Sequence, residues 1–341
     1  MNSPPLKPAS PLKFGIIGAW HTHTPGLVRQ IIAHPEEFQL LGVYDPEPDV
    51  VSARHREWSP QIPDLQWCDS GEAVLDLPLD AVIIDGRISA NLDVALRVIE
   101  RGLPILLEKP AGVDLEKFEL LRRRAKEKKV HVQLLYLFRY MSAMVEMRQR
   151  ADQYGQIYMF RGRLPKDFTL YDSFVEELGG YPGGIFYEMA GHLVDQMVAL
   201  LGPPRKVHPF LGHHHVAKPG CFIDNGVAVF EFDHAFGIIE VPALETAPDY
   251  RRIEVFGTAG SAVIPHLGSG HLANNPYQPI EVFQTGDAGW ERLNLNAAVL
   301  QIADLREFAA VVRGEKSPEF TPAHDLAVHK SLLQASGMHP L

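Results

Sequence analysis

Two short stretches hold side chains able to do chemistry. In the first, Glu108-Lys109-Pro110 follows the apolar run Ile105 to Leu107. Such a run reads as a buried parallel strand. A lysine directly after it sits at the carboxyl edge of an α/β sheet, where ligands bind, and Pro110 ends the ladder and turns the chain. The ordinary alternative is a strand-end lysine pointing into solvent. In the second stretch, Glu188, His192 and Asp195 are spaced i, i+4, i+7 within Gly184 to Leu201, a periodic segment stopped by Gly202-Pro203-Pro204. They share one helix face, while Leu193, Met197, Val198, Leu200 and Leu201 lie largely elsewhere and can pack. That face is either a polar stripe lining a cleft or a solvated face with an ordinary i,i+4 pair. An imidazole titrates near neutrality and passes protons both ways, and an ammonium donates to developing negative charge.

The elements that must position these groups alternate. Leu12 to Ile17 reads as a strand, His21 to His34 begins a helix with Leu27, Val28, Ile31 and Ile32 at helical spacing, and Phe38 to Tyr44 is a second strand ending at Asp45. An acid about 20 to 30 residues after the first glycine of a β-α-β unit is placed to accept from ribose hydroxyls. The glycine fingerprint itself is sparse: Gly18, Ala19, Trp20, His21, Thr22, His23 keeps only the first glycine. The pattern continues with a strand at 81–84, a helix at 91–101 with Gly102 as its C-cap, the strand 105–107, a helix at 114–128 and a strand at 130–135. Strands alternating with helices imply right-handed crossovers and a parallel doubly wound sheet.

After Tyr140 the style changes. A helix at 142–153 and a strand opening at Gly155 precede the 184–201 helix, and then come strands at 206–212, 225–233, 236–241, 251–256 and 262–264, read as consecutive antiparallel strands of one open sheet. Helices at 297–313 and 322–335 close the chain, the second with Thr321-Pro322 as N-cap and N1. The expected fold is therefore α/β. Residues 1–11 form a disordered tail, 12–136 a Rossmann domain, 137–320 an α+β domain with an open, largely antiparallel sheet for substrate and oligomerisation, and 321–341 a C-terminal helix.

Composition narrows the function class. The 341 residues carry a net charge of −10, with 46% hydrophobic and 22% charged residues. That balance opposes a nucleic-acid surface, and the basic run Arg122 to Lys129 reads as a solvated helix end. Cys68 and Cys221 are too few for a disulfide framework and lack metal-type spacing. No stretch of about 18 apolar residues suggests a membrane span, and a cytoplasmic location is expected.

Glu108-Lys109-Pro110 in strand context, Gly183-Gly184 leading to Glu188-Met189-Ala190-Gly191-His192-Leu193-Val194-Asp195, Phe138-Arg139-Tyr140, and Arg251 to Ile264 occur in an order that resembles the Gfo/Idh/MocA oxidoreductase family over nearly the whole chain. The resemblance implies NAD as cofactor and a small carbohydrate-like substrate. It also implies that Lys109 positions the substrate hydroxyl, that His192 is the acid/base, that Asp195 binds substrate hydroxyls or steers the imidazole, and that Glu188 meets substrate hydroxyls. The cofactor would be met by Gly18, Trp20, His21, Thr22, His23, Asp45, Arg87, Asn91, Glu108 and Lys109. Members usually carry aspartate where this chain has Glu188, and Thr-Pro-Asn-x-x-His where it has Gly86-Arg87-Ile88-Ser89-Ala90-Asn91. His21 and His23 are assigned to the pyrophosphate at a helix N-terminus rather than to a metal. His213-His214-His215 is read as surface or subunit contact, and a homodimer or homotetramer through the C-terminal sheet is expected. The implied activity is oxidation of a secondary hydroxyl of a sugar, polyol, inositol or related ring alcohol. The alternatives are a redox-neutral NAD-retaining lyase or glycosidase and a non-catalytic sugar-responsive binding protein.

Overall fold

The computed structural model describes residues 10–167, 172–215, 222–246, 250–267, 277–297 and 301–339. Cys221 and most of the expected N-terminal tail lie outside them. The chain folds into two compact units. The first comprises Met1–Gly112, Glu116–Leu135 and Gln301–Pro318, the second Val113–Leu115, Tyr136–Leu300 and Glu319–Leu341.

The first unit is built on β1 (Leu12–Ile17), α1 (Thr24–Ala33), β2 (Phe38–Tyr44), α2 (Pro48–Trp58), β3 (Gln66–Trp67), α3 (Gly71–Leu75), β4 (Ala81–Ile84), α4 (Ile88–Glu100), β5 (Ile105–Glu108), α5 (Leu115–Lys128) and β6 (Val132–Leu135). Its six strands are all parallel, in the order β3-β2-β1-β4-β5-β6. Every residue of β4, β5 and β6 is buried, because helices cover both faces of such a sheet, and all but Glu108 and Gln133 are apolar. The order reverses between β2-β1 and β4-β5, so the carboxyl ends of β1, β4 and β5 lie side by side at the switch point where α/β proteins bind ligands. Helix α4 buries Ile88, Leu92, Ala95 and Ile99 at helical spacing, and Gly102, at φ +74°, ends it.

The helix Ile302–Val312 was expected with the C-terminal domain, but it belongs to the first unit. Ile302, Leu305, Phe308 and Ala309 complete the same apolar core as Phe14 and Phe38, and the Phe308 and Phe14 rings stand 5.9 Å apart. A helix this distant in sequence is recruited because the apolar face beside β1 needs covering.

The second unit contains α6 (Ser142–Gln149), β7 (Ile157–Arg163), α7 (Asp172–Leu178), α8 (Gly184–Leu201), β8 (Lys206–Gly212), β9 (Asn225–Glu231), β10 (Phe236–Pro242), β11 (Arg252–Gly257), β12 (Gly260–Ile264), β13 (Tyr277–Gln284), β14 (Glu291–Asn296) and, after α9 (the recruited Ile302–Val312 helix), α10 (Pro322–Ala335). Its eight strands run β14-β13-β12-β11-β7-β10-β9-β8. The sheet is mostly antiparallel, as expected, but β7 inserts between β10 and β11 and pairs parallel with β10. Strands β13 and β14 were not anticipated. Pro279 sits inside β13, where a proline argues against a strand, and β14 is an exposed edge. Helix α8 has the bounds read from the sequence, and α10 begins with the Thr321 hydroxyl accepting from the His324 N–H at 3.2 Å. No helix among the described residues is long and apolar enough to cross a membrane.

Candidate active site

In the first unit the site begins at the turn from β1 into α1. Gly18 has φ +86°, and a Cβ there would collide with the Gly86 backbone, so the turns after β1 and β4 lie against each other. Asp45 ends β2 as expected, but its carboxylate is turned onto its own loop: Oδ2 accepts from the Ala19 N–H at 2.6 Å and Oδ1 from the Glu47 N–H at 2.8 Å. Burial raises its pKa. Trp20, standing where a second glycine is usual, is buried under Arg87, whose guanidinium carbon is 4.9 Å from the indole centroid. Arg87 is also held by Glu47 through two hydrogen bonds of 2.6 and 2.8 Å. Of the expected cofactor residues, Thr22 is exposed and Asn91 is buried.

Beside this turn lies a group of titratable side chains. Glu108, the last residue of β5, places Oε1 3.0 Å from His23 Nδ1 and 3.7 Å from His21 Nδ1. Asp85, the residue after β4, places Oδ1 3.7 Å from His21 Nδ1. Sequence reasoning missed Asp85, although the strand order alone puts the residues after β1, β4 and β5 side by side. Asp85 is fully buried, and burial, reinforced by the charge of Glu108, pushes its pKa up to about 7. Lys109 follows with 1% of its surface exposed, so the solvent-facing alternative does not hold. The Lys109-Pro110 bond is cis.

In the second unit, α8 buries every residue from Gly184 to Val198, which rules out the solvated-face reading of Glu188 and His192. His192 is 4% exposed and its ring is stacked on Phe138, with centroids 4.7 Å apart and an interplanar angle of 28°, while Tyr136 meets it edge-on at 6.0 Å. Glu188, one turn earlier, is 6% exposed. Asp195 lies one turn later in a different setting. Arg139 donates to it from Nε and, at 2.6 Å, from Nη2; Gln196 Nε2 donates at 3.0 Å, and His324 Nε2 lies 3.0 Å away. Arg139 Nη2 also reaches Asp325 at 2.5 Å, with Phe320 4.2 Å from the guanidinium carbon. Burial acts to raise the Asp195 pKa, but Arg139 and His324 outweigh it and hold the carboxyl well below the usual carboxylate range. Asp195, expected to bind substrate or steer the imidazole, thus has both oxygens engaged inside the protein.

Residues 12–136 match the model of the oxidoreductase family with an NAD-binding Rossmann fold, and residues 139–263 match the GFO/IDH/MocA C-terminal domain. The chain belongs to the Gfo/Idh/MocA oxidoreductase family. It is 25% identical over 329 residues to scyllo-inositol 2-dehydrogenase (NAD(+)) of Bacillus subtilis (strain 168), covering 91% of this chain and 87% of that one. It is 30% identical over 135 residues to the rhizopine catabolism protein MocA of Rhizobium meliloti, covering 39% and 41% of the two chains. Its fold matches that of UDP-N-acetylglucosamine 3-dehydrogenase from Acidithiobacillus ferrooxidans with a TM-score of 0.78 at 18% identity, over 97% of this chain and 98% of that one.

NAD is the cofactor of Gfo/Idh/MocA Rossmann domains. The residues at the base of the turn fit it. The close Gly18–Gly86 approach leaves no room for side chains there, and neither amide atom of buried Asn91, beside Gly86, has a hydrogen-bond partner. Gly18, Gly86 and Asn91 are the residues that would hold a dinucleotide in this member of the family, on a loop that Asp45 shapes by accepting from the Ala19 N–H.

Proposed function

We propose that this family member is an NAD-dependent dehydrogenase that oxidises a secondary hydroxyl of a cyclic polyol, inositol or related sugar. The observation that carries the reading is His192, a buried imidazole fixed face-to-face by Phe138 on a helix that also buries Glu188. Similarity over nine-tenths of the chain to an inositol dehydrogenase supports the substrate class.

Bound NAD supplies a hydride acceptor. The protein's part is proton handling and orientation. His192 takes the hydroxyl proton, and the Phe138 stack limits its ring to one plane, so less orientation must be found at the moment of reaction. Lys109 donates to the substrate oxygen as it gains alkoxide character, a contact that strengthens in the transition state and therefore accelerates the step. Glu188 accepts from neighbouring hydroxyls, and its side chain, longer than the family's usual aspartate, changes which ring hydroxyl it meets. Asp195 holds α8 through Arg139 rather than touching substrate.

The test is incubation with NAD and a panel of inositols, sugars and linear polyols, following absorbance of the reduced nicotinamide. Turnover of cyclic polyols by the parent, lost in His192→Ala while NAD binding persists, is expected. Equal turnover in His192→Ala overturns the assignment.

A further inference from the structure

Two groups of His, Asp and Glu side chains among the described residues bring their donor atoms within 4.8 Å of one another. In one, Asp195, His324 and Asp325, a cation is already built in, since Arg139 Nη2 lies 2.6 Å from Asp195 and 2.5 Å from Asp325. The other, His21, His23 and Glu108, is joined by Asp85. It belongs to the first unit and is formed where β1, β4 and β5 end.

Three separations between its donor atoms fit a coordination sphere. Two ligands about 2.0–2.1 Å from a tetrahedral centre stand about 3.3 Å apart. The separations here straddle that value: 3.0 Å from His23 Nδ1 to Glu108 Oε1, 3.7 Å from His21 Nδ1 to the same oxygen, and 3.7 Å from His21 Nδ1 to Asp85 Oδ1. The His23 backbone N–H donates to His21 Nδ1 at 3.2 Å, so that nitrogen carries the ring's lone pair, which an ion would take over from the N–H. Asp85 is fully buried, and the adjacent Thr24 hydroxyl donates to the His21 carbonyl at 2.9 Å. His23 Nδ1 and Glu108 Oε1 meet as a hydrogen-bonded pair, and an ion of charge +2 between the imidazoles and the acids would replace that bond and balance the two carboxylates beside Lys109. The loop is also held in place without it, by the His21 N–H donating to the Asp85 carbonyl at 3.2 Å. His23, with 19% of its side chain exposed, gives the volume access from solvent.

We propose that His21, His23, Glu108 and Asp85 form a binding site for one divalent transition-metal ion. Two imidazoles with carboxylates select zinc, cobalt, nickel or iron(II) over magnesium and calcium, which prefer all-oxygen sets. Bound there, the ion ties the β1–α1 turn to the ends of β4 and β5 through side chains, in a turn where the dinucleotide fingerprint has lost its second and third glycines. The site goes beyond the proposed dehydrogenase activity and stands if that activity is not found.

The test titrates the full chain, stripped with chelator, with zinc by calorimetry. A His213→Ala/His214→Ala/His215→Ala background removes the other histidine run. One ion per chain is expected, with magnesium giving no heat and cobalt giving the visible absorption of a tetrahedral nitrogen–oxygen site. His23→Gln, at the partly exposed position, and Glu108→Gln should each weaken zinc by at least about 10- to 100-fold. Should either variant fail to fold by circular dichroism, the cobalt spectrum of the otherwise unaltered background decides. Stoichiometry far below one, an octahedral all-oxygen spectrum, or affinity unchanged in folded His23→Gln overturns the proposal, leaving protons and the nearby Lys109 to balance the two acids.

Discussion

Asp195→Asn is the substitution whose effect follows most directly from the structure. Asp195 is fully buried and accepts from Arg139 Nε and Nη2 and from Gln196 Nε2, with His324 Nε2 at 3.0 Å. The amide keeps the shape and loses the charge. Breaking a buried ion pair by removing one partner costs about 3–5 kcal/mol, and because Asp325 still meets Arg139 at 2.5 Å the lower end, about 3 kcal/mol, applies. For a unit of this size each kcal/mol shifts Tm by about 2–4 °C, so scanning calorimetry at neutral pH should find the variant about 6–12 °C below the parent. The pH dependence has a definite sign. The folded-state pKa of Asp195 is depressed, so its contribution is complete above the unfolded-state value near 3.9 and is lost as pH falls below it. The gap between parent and variant should hold from pH 7 to about pH 5 and then shrink by about 1.4 kcal/mol for each pH unit below about 4. A neutral-pH gap under about 2 °C, or one that does not narrow in acid, would refute the view that this ion pair anchors α8.

Three further outcomes follow. His192→Ala should lower kcat by about 10²- to 10⁴-fold with NAD affinity unchanged, and Lys109→Ala should cost at least as much, with Lys109→Arg giving no rescue because a planar fork cannot replace a compact donor; steady-state kinetics with fluorescence titration of NAD checks both. NAD should bind at least about tenfold more tightly than NADP, because Asp45 ends β2 and Arg87 is held by Glu47, and Glu47→Ala, which releases Arg87, should narrow that ratio in a binding titration. Gly18→Ala should lose at least about 1 kcal/mol in a denaturant titration and lose NAD affinity as well, since φ +86° and the Gly86 backbone both reject a side chain; parental stability and affinity would contradict the tight-turn argument.

The first unit was legible because parallel strands buried on both faces appear as uninterrupted apolar runs such as Ala81 to Ile84 and Ile105 to Leu107. Helix α8 was legible to the residue because Gly202-Pro203-Pro204 stops it. Helix α2 left no signal, since Trp58 is its only buried residue, and β13 was hidden by Pro279. The partner of α9 could not be read, because nothing in Ile302 to Val312 says which apolar face 290 residues earlier it will cover. The chemistry divides in the same way. Lys109, Glu188 and His192 carried local signatures, whereas the meeting of His21, His23 and Glu108 with Asp85 depends on strand order. The engagement of Asp195 by Arg139 depends on two segments 56 residues apart. Spacing along one helix showed that Asp195 shares a face with His192 but not that the face passes from a ring-lined position into an ion pair.

The most direct measurement of the central claim uses a cyclic polyol carrying deuterium on the carbinol carbon, mixed with the enzyme and NAD, with the nicotinamide analysed by mass spectrometry. Direct hydride transfer predicts that each reduced cofactor released carries one deuterium and that label and ketone form in equal amounts. Label returned to the sugar product with no net reduced cofactor would contradict a dehydrogenase and indicate redox-neutral chemistry, and unlabelled reduced cofactor would contradict transfer from the carbinol carbon.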